Sequence, residues 1–139
     1  MRRQRAIEEI TGNESLLGML ETDAAVELLE WGKSMVLLVI DETRNQDNGN
    51  ADLLLEPRLK AVRQSMRSIG NWAAGKYSDE ADQAQLRARL LDNFGMIYGD
   101  KSRLPSAEEL DAVLELATDK QTTPGQRVVK LRELFRNIG

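Results

Sequence analysis

Residues 70–78 of the chain read GNWAAGKYS, which comes within one residue of a phosphate-binding loop. That loop has the pattern G-x-x-x-x-G-K-S/T, in which backbone N–H groups and the lysine hold nucleotide phosphates and the hydroxyl binds magnesium. Gly70, Gly75 and Lys76 fit the pattern, but Tyr77 stands where the hydroxyl ligand belongs. The stretch therefore raises the question whether this chain binds a nucleotide.

A second segment, MVLLVIDE at residues 35–42, has the form of an apolar strand that ends in a magnesium-binding acid. Its surroundings predict a helix instead. Apolar or small residues recur every three or four positions from residue 22 to residue 44, and the acidic residues fall on the opposite side. One amphipathic helix explains all of these positions, so no strand is expected here.

The same reasoning applies to the segment before Gly70. A phosphate-binding loop follows a strand and begins a helix, whereas VRQSMRSI at residues 62–69 is the end of an amphipathic helix. The order of elements is thus reversed, and Gly75 stands where a glycine commonly caps a helix C-terminus. We predict a helix cap rather than a nucleotide site.

Two pairs of carboxylates have the spacing of magnesium ligands on a helix: Glu27 with Glu30, and Glu108 with Asp111. All-helical pyrophosphohydrolases of nucleoside triphosphates hold magnesium with such pairs, and to this extent the chain is similar to them. It departs from that family because the two pairs lie far apart in the sequence rather than on consecutive helices. Glu27 and Glu30 also fall on the polar side of their helix, which favours a solvated acidic stripe.

The composition narrows the chemistry further. The chain has no cysteine and no histidine, so it lacks thiolate nucleophiles, the commonest general base and the commonest ligands of zinc, copper and haem iron. No cofactor and no metal ligand are therefore predicted. Any catalysis would depend on Asp, Glu, Lys, Tyr, Ser or Thr, with a hard ion such as magnesium.

Basic residues cluster in two parts of an otherwise acidic chain of net charge −4. Within the helix predicted for residues 53–76, three of them share one flank of the apolar seam, and the last predicted helix supplies others. The predicted partner-binding residues are Lys60, Arg63, Arg67, Arg127 and Lys130. They would engage an acidic protein surface, whereas the competing interpretation is that they face acidic stripes of neighbouring helices or water.

The elements that would position these residues are all helical. At 139 residues the chain suits one domain with a core of its own. We predict an all-α fold, a compact bundle of five to six amphipathic helices over residues 1–139, in which residues 1–21 form a loosely held N-terminal segment. The principal helices are expected at residues 22–44, 53–76, 79–98, 107–119 and 124–138.

Local signals set the expected helix ends. Asp52 is a cap candidate for the second helix, with Pro57 tolerated near its first turn, and Ser78 is the cap candidate for the third. Ser106 with Glu109 forms a capping box before the fourth helix, and Thr123, Pro124 and Gln126 give the fifth the preferred order of cap, proline and glutamine.

Trp31 and Trp72 lie beside the apolar seams, where each serves either as a core residue or as an interface anchor. The seam from Leu55 to Ala73 packs either within the monomer or across the two-fold axis of a homodimer.

The function predicted from these features is that of a non-catalytic cytoplasmic protein–protein interaction module, such as a small regulator or assembly factor. Two alternatives stay open. The first is a helical nucleic-acid-binding protein that uses the basic flank of residues 53–76, and the more remote one is a magnesium-dependent nucleotide pyrophosphohydrolase. No membrane association is expected, because the longest apolar run, residues 35–40, is far shorter than a membrane span.

Overall fold

The computed structural model describes residues 22–45, 51–77, 79–98 and 104–136, and these residues form helices and no strand. The predicted all-α bundle is confirmed, while the N-terminal segment 1–21 lies outside the described residues. None of the described helices is long and apolar enough to cross a membrane. The helices are α1 (Thr22–Asn45), α2 (Ala51–Ala73), α3 (Glu80–Tyr98), α4 (Ala107–Leu114), which continues as a 3-10 turn (Glu115–Thr118), and α5 (Pro124–Arg136).

Helix α2 is the centre of the bundle, since it packs extensively against both α1 and α3 and also contacts α5. The apolar seam predicted along it is buried throughout, and no member is more than 8% exposed. Burying each large side chain of this kind contributes about 1.5–3 kcal/mol. The seam is thus filled within one chain, so a homodimer would have to use another surface. Its members are Leu55, Leu59, Val62, Met66, Ile69 and Ala73.

Helix α1 contains the MVLLVIDE segment, which confirms the prediction that this segment is not a strand. Met35, Val36 and Val39 are buried at helical spacing against the core. Because only residues 46–50 separate α1 from α2, two long helices that pack on each other in this way run antiparallel. Arg58 Nη1 donates to Thr43 Oγ1 at 3.0 Å, which ties the two helices together near this connection.

Aromatic rings join α1, α3 and α5. Phe94 of α3 stacks on Phe135 of α5 with ring centroids 3.9 Å apart, and Trp31 of α1 lies 5.6 Å from the Phe94 ring. Trp31 and Trp72 are 5% and 0% exposed, so both tryptophans are core residues rather than interface anchors. Trp72 Nε1 donates to the carbonyl of Leu114 at 2.9 Å, which satisfies the indole N–H inside the core.

The predicted caps of the last two helices are confirmed. Ser106 and Glu109 form a reciprocal capping box at α4, and the Thr123 and Gln126 side chains do the same for α5. At α3 it is the Asp79 carboxylate that accepts the N–H of residue 82, at 2.8 Å. Ser78, the cap suggested by the sequence, lies outside the described residues.

The N-terminal end of α2 differs from its prediction. The helix begins at Ala51, so Asp52 already belongs to it and does not precede it as a cap. Pro57 consequently lies inside the helix, beyond the first turn, where a proline has no N–H to donate to the carbonyl four residues earlier. A residue inside a helix has helical backbone angles and cannot serve as the non-helical cap, so this part of the prediction is wrong.

The C-terminal end of α2 explains the GNWAAGKYS stretch. The N–H of Gly75 donates to the carbonyl of Trp72 at 2.9 Å, and the N–H of Lys76 donates to that of Asn71 at 3.0 Å. These two bonds form a Schellman motif, in which a residue with positive φ closes the last turn. Gly75 has φ of 84°. The predicted helix cap is confirmed. Gly75, which suggested a phosphate-binding loop, closes the last turn of α2.

The first prediction concerns this glycine. We expect Gly75→Ala to lower the free energy of unfolding by about 1–2 kcal/mol, because an L-residue with a Cβ is strained at positive φ. A Cβ at this position would have no atom within 4 Å, so the loss reports backbone strain and not a steric clash. Urea unfolding followed by circular dichroism measures it.

Gly75→Asn is the matched control, since asparagine tolerates the left-handed region better than alanine does. It should lose less stability than Gly75→Ala. Equal stability of the wild type and the alanine variant would contradict the assignment of the cap.

Candidate functional site

The candidate site begins with the basic flank of α2, which we define as Lys60, Arg63 and Arg67. Lys60 and Arg67 are exposed, and Arg63 is half-buried. Because the seam on the adjacent side of α2 is held in the core, the helix has a fixed rotation about its axis. The flank therefore lies on a helix whose orientation is set by the core.

Ion pairing bears on the question left open by the sequence, namely whether these charges are neutralised within the bundle. No described residue forms an ion pair with Lys60 or Arg67. Glu56, one helical turn before Lys60, is exposed and is not paired with it either. Lys60 and Arg67 are thus exposed and have no ion-pair partner among the described residues.

Arg127 was predicted to extend this flank, but the structure places it in the interior at 9% exposure. Its Nη1 donates to the carbonyl of Ala73 at 2.8 Å, at the C-terminal end of α2. Its Nη2 donates to the carbonyl of Asp119 at 3.1 Å, and its Nε donates to Thr122 Oγ1 at 3.2 Å. The guanidinium thus joins α5, the loop before it and the end of α2.

This geometry gives Arg127 a structural role that its sequence position does not reveal. The carbonyls at a helix C-terminus carry partial negative charge, so a cation placed there is favoured. A buried charge is tolerated only where hydrogen bonds replace its hydration, and three acceptors do so here. No local pattern links Arg127 to Ala73, which lies 54 residues away.

Lys130 lies on a different surface from the flank. It is exposed on α5 and approaches Glu133 at 4.0 Å. It lines an open groove of about 440 Å³ between α1 and α5, to which α1 contributes Asp23 and Glu27 and α2 contributes nothing. The structure thus brings Lys60, Arg63 and Arg67 together on α2 and leaves Lys130 among acidic neighbours.

Three of the four carboxylates whose spacing resembles that of magnesium ligands lie beside cations. Glu27 Oε2 lies 3.6 Å from Arg132 Nη1, and Asp111 Oδ2 lies 2.6 Å from Arg87 Nη1. Glu30 lies 3.9 Å from the ammonium of Lys33. In the parts of the chain that the structure describes, no three acidic residues lie close enough together to hold a metal ion.

Similarity to known proteins does not indicate a function for this chain. Comparison with protein-family models, curated proteins and solved structures gave no match to this chain. The exposed and buried charges of the described residues are therefore the features that bear on function. Of these, the solvated cations on α2 are the clearest feature.

The second prediction follows from the contacts of Arg127. We expect Arg127→Met to lower the free energy of unfolding by about 2–4 kcal/mol, because methionine fills part of the volume but leaves buried carbonyls without a donor. Chemical denaturation measures the loss. Arg67→Met is the matched control, and its effect should stay within about 0.5 kcal/mol because Arg67 is exposed. Similar losses for the two variants would contradict the structural role of Arg127.

Proposed function

We propose that this protein is a non-catalytic cytoplasmic protein–protein interaction module, a small regulator or assembly factor that binds an acidic partner surface through the basic flank of α2. The observation that supports it is the exposure of Lys60 and Arg67 without an ion-pair partner among the described residues. Arg63 lies between them on the same flank and completes a row of three cations on one helix. Arg127 takes no part, since its guanidinium is bound internally.

The overall negative charge of the chain does not oppose this proposal. Charges are screened over about 8–10 Å at physiological salt, so a partner at the flank responds mainly to the local charge. Residues 51–76 carry five basic and two acidic groups, against a net charge of −4 for the whole chain. A local excess of this kind speeds and orients encounter with an acidic surface, and it lets affinity fall as salt rises.

The non-catalytic part of the proposal rests on the absence of histidine and cysteine from the sequence. Among the described residues, the carboxylates that remained as candidates are spread over separate helices, and three of them lie beside cations. A pyrophosphohydrolase needs several carboxylates around one magnesium ion. The described residues offer no such arrangement.

A nucleic acid would also present negative charge to the flank, but it is the weaker proposal. Single-stranded nucleic acids gain much of their affinity from bases that stack on aromatic side chains. Four of the six aromatic residues are buried in this fold and two are half-buried. The flank is thus a set of cations without an exposed stacking platform.

The third prediction tests the flank by charge reversal. The full chain, immobilised, is used to capture proteins from a lysate of the source cell, and the captured proteins are quantified by mass spectrometry. Lys60→Glu combined with Arg67→Glu should reduce capture of the specific partner on the order of tenfold or more, because attraction becomes repulsion at two positions. Affinity of the purified partner should fall with rising salt.

The control variant reverses two exposed cations elsewhere, Arg89 of α3 and Lys120 of the loop before α5. Arg89→Glu with Lys120→Glu makes the same change in net charge and should leave capture unaffected. Equal losses in both double variants, or none in either, would remove the flank from consideration.

Labelled oligonucleotides are tested in parallel. Salt-dependent binding that only the flank variant loses would favour the nucleic-acid function instead.

A further inference from the structure

Helix α4 and the 3-10 turn that continues it carry two exposed carboxylates, Glu108 and Glu115, which we define as the acidic row. No described residue forms an ion pair with either of them. The neighbouring acids of this element are already engaged. Asp111 lies 2.6 Å from Arg87 Nη1, and the side chain of Glu109 is held in the capping box. The acidic row is thus the part of α4 whose charge no described cation offsets.

The acidic row has the same spacing as the exposed cations of the basic flank. Glu115 lies seven positions after Glu108, and Arg67 lies seven positions after Lys60. Seven positions turn a helix by about 700°, which places both members of a pair on one face, and advance it by about 10–11 Å. Two carboxylates can therefore meet two cations at once when α4 of one molecule lies alongside α2 of another.

A second acidic stripe, at the start of α1, is a poorer match for the flank. Glu27 Oε2 lies 3.6 Å from Arg132 Nη1, and Glu30 lies 3.9 Å from the ammonium of Lys33, so cations of the same chain offset part of its charge. Between the two members of the acidic row lies Ala112, which is exposed. Its small side chain leaves room for the long side chains of lysine and arginine on a facing helix.

We propose that the acidic partner of the basic flank is a second copy of this chain, which presents Glu108 and Glu115 to Lys60 and Arg67. This inference rests on the proposed function, because it uses the same flank, and it names the partner. Within one molecule the two rows do not meet, since no ion pair among the described residues joins α2 to α4. The contact joins two different surfaces of the chain, so each molecule offers both a flank and an acidic row to its neighbours.

The association is weak and sensitive to salt. Exposed ion pairs each contribute little to affinity, and a contact of two short rows belongs with the small, transient class of protein interfaces. We expect a dissociation constant of about 0.1–1 mM at about 50 mM salt. It should rise about tenfold or more at about 300 mM salt, because salt screens exposed charges.

Charge reversal tests the pairing, and sedimentation velocity at chain concentrations that span this range measures the association. Lys60→Glu with Arg67→Glu, and separately Glu108→Lys with Glu115→Lys, should each raise the dissociation constant about tenfold or more, since like charges then face one another. An equimolar mixture of the two double variants should associate about as strongly as the wild type. The native flank of one variant then meets the native acidic row of the other.

Two control variants make the same changes in net charge on other surfaces. Arg89→Glu with Lys120→Glu matches the reversal of the flank, and Asp41→Lys with Asp92→Lys matches the reversal of the acidic row. All four of these residues are exposed. Both controls should associate like the wild type, because neither changes a row.

Circular dichroism confirms that each variant is folded. Glu108 lies in the first turn of α4, where an acidic residue is favoured, so its reversal can loosen the helix. Glu115→Lys alone leaves that turn intact and keeps the test decisive. It should raise the dissociation constant about threefold or more.

The inference is overturned if the wild type stays monomeric up to about 1 mM, if a control variant loses association as its matched variant does, or if the mixture fails to restore it. Flank-dependent capture of a different protein by a monomeric wild type would overturn this inference and leave the proposed function standing. Association that both row variants lose and their mixture regains would identify the second copy as the partner.

Discussion

Trp72 and Ala73, at the C-terminal end of α2, are fully buried, so the polar groups around them must be satisfied without water, whereas Ala74 and Lys76 just beyond them are exposed. Two sets of contacts satisfy carbonyls of α2 itself: the backbone bonds around Gly75, and the bond from Arg127 Nη1 to the carbonyl of Ala73. A further bond, from Trp72 Nε1, satisfies the carbonyl of Leu114 in α4. An unsatisfied buried carbonyl costs about 1–3 kcal/mol, so these contacts act together. They fix α2 against α4 and α5, and the rest of the bundle is arranged around α2.

The fold divides the basic residues discussed above into two groups that the sequence does not distinguish. Arg87, Arg127 and Arg132 face carboxylates or carbonyls of the fold, so their charge contributes to holding helices together. Lys60 and Arg67 stand on the same helix that the interior contacts immobilise, yet no described residue pairs with them. The proposed docking surface uses these two cations, because a helix that is held in place on its packed side loses little conformational entropy on binding.

On the other side of the bundle, the aromatic cluster of Trp31, Phe94 and Phe135 holds helices together. Phe94 and Phe135 stack at 3.9 Å, and this contact holds α3 and α5 beside Trp31 of α1. The edge of the cluster forms the wall of a pocket that Ser34 and Arg132 also line. Little in the sequence indicates this pocket, since Ser34 falls on the polar side of α1 and Arg132 is one of several basic residues near the C-terminus.

By itself the sequence determined the helices, the caps at Ser106, Thr123 and Gly75, and the buried seam of α2. Hydrophobic periodicity and capping depend on residues within a few positions of one another, so they can be read locally. Only the tertiary structure decided which of the predicted site cations lie in the interior and which stay exposed. Arg67 and Arg127 look equivalent in the sequence, and they differ because folding brings one beside Ala73, a contact across 54 residues that no local pattern encodes.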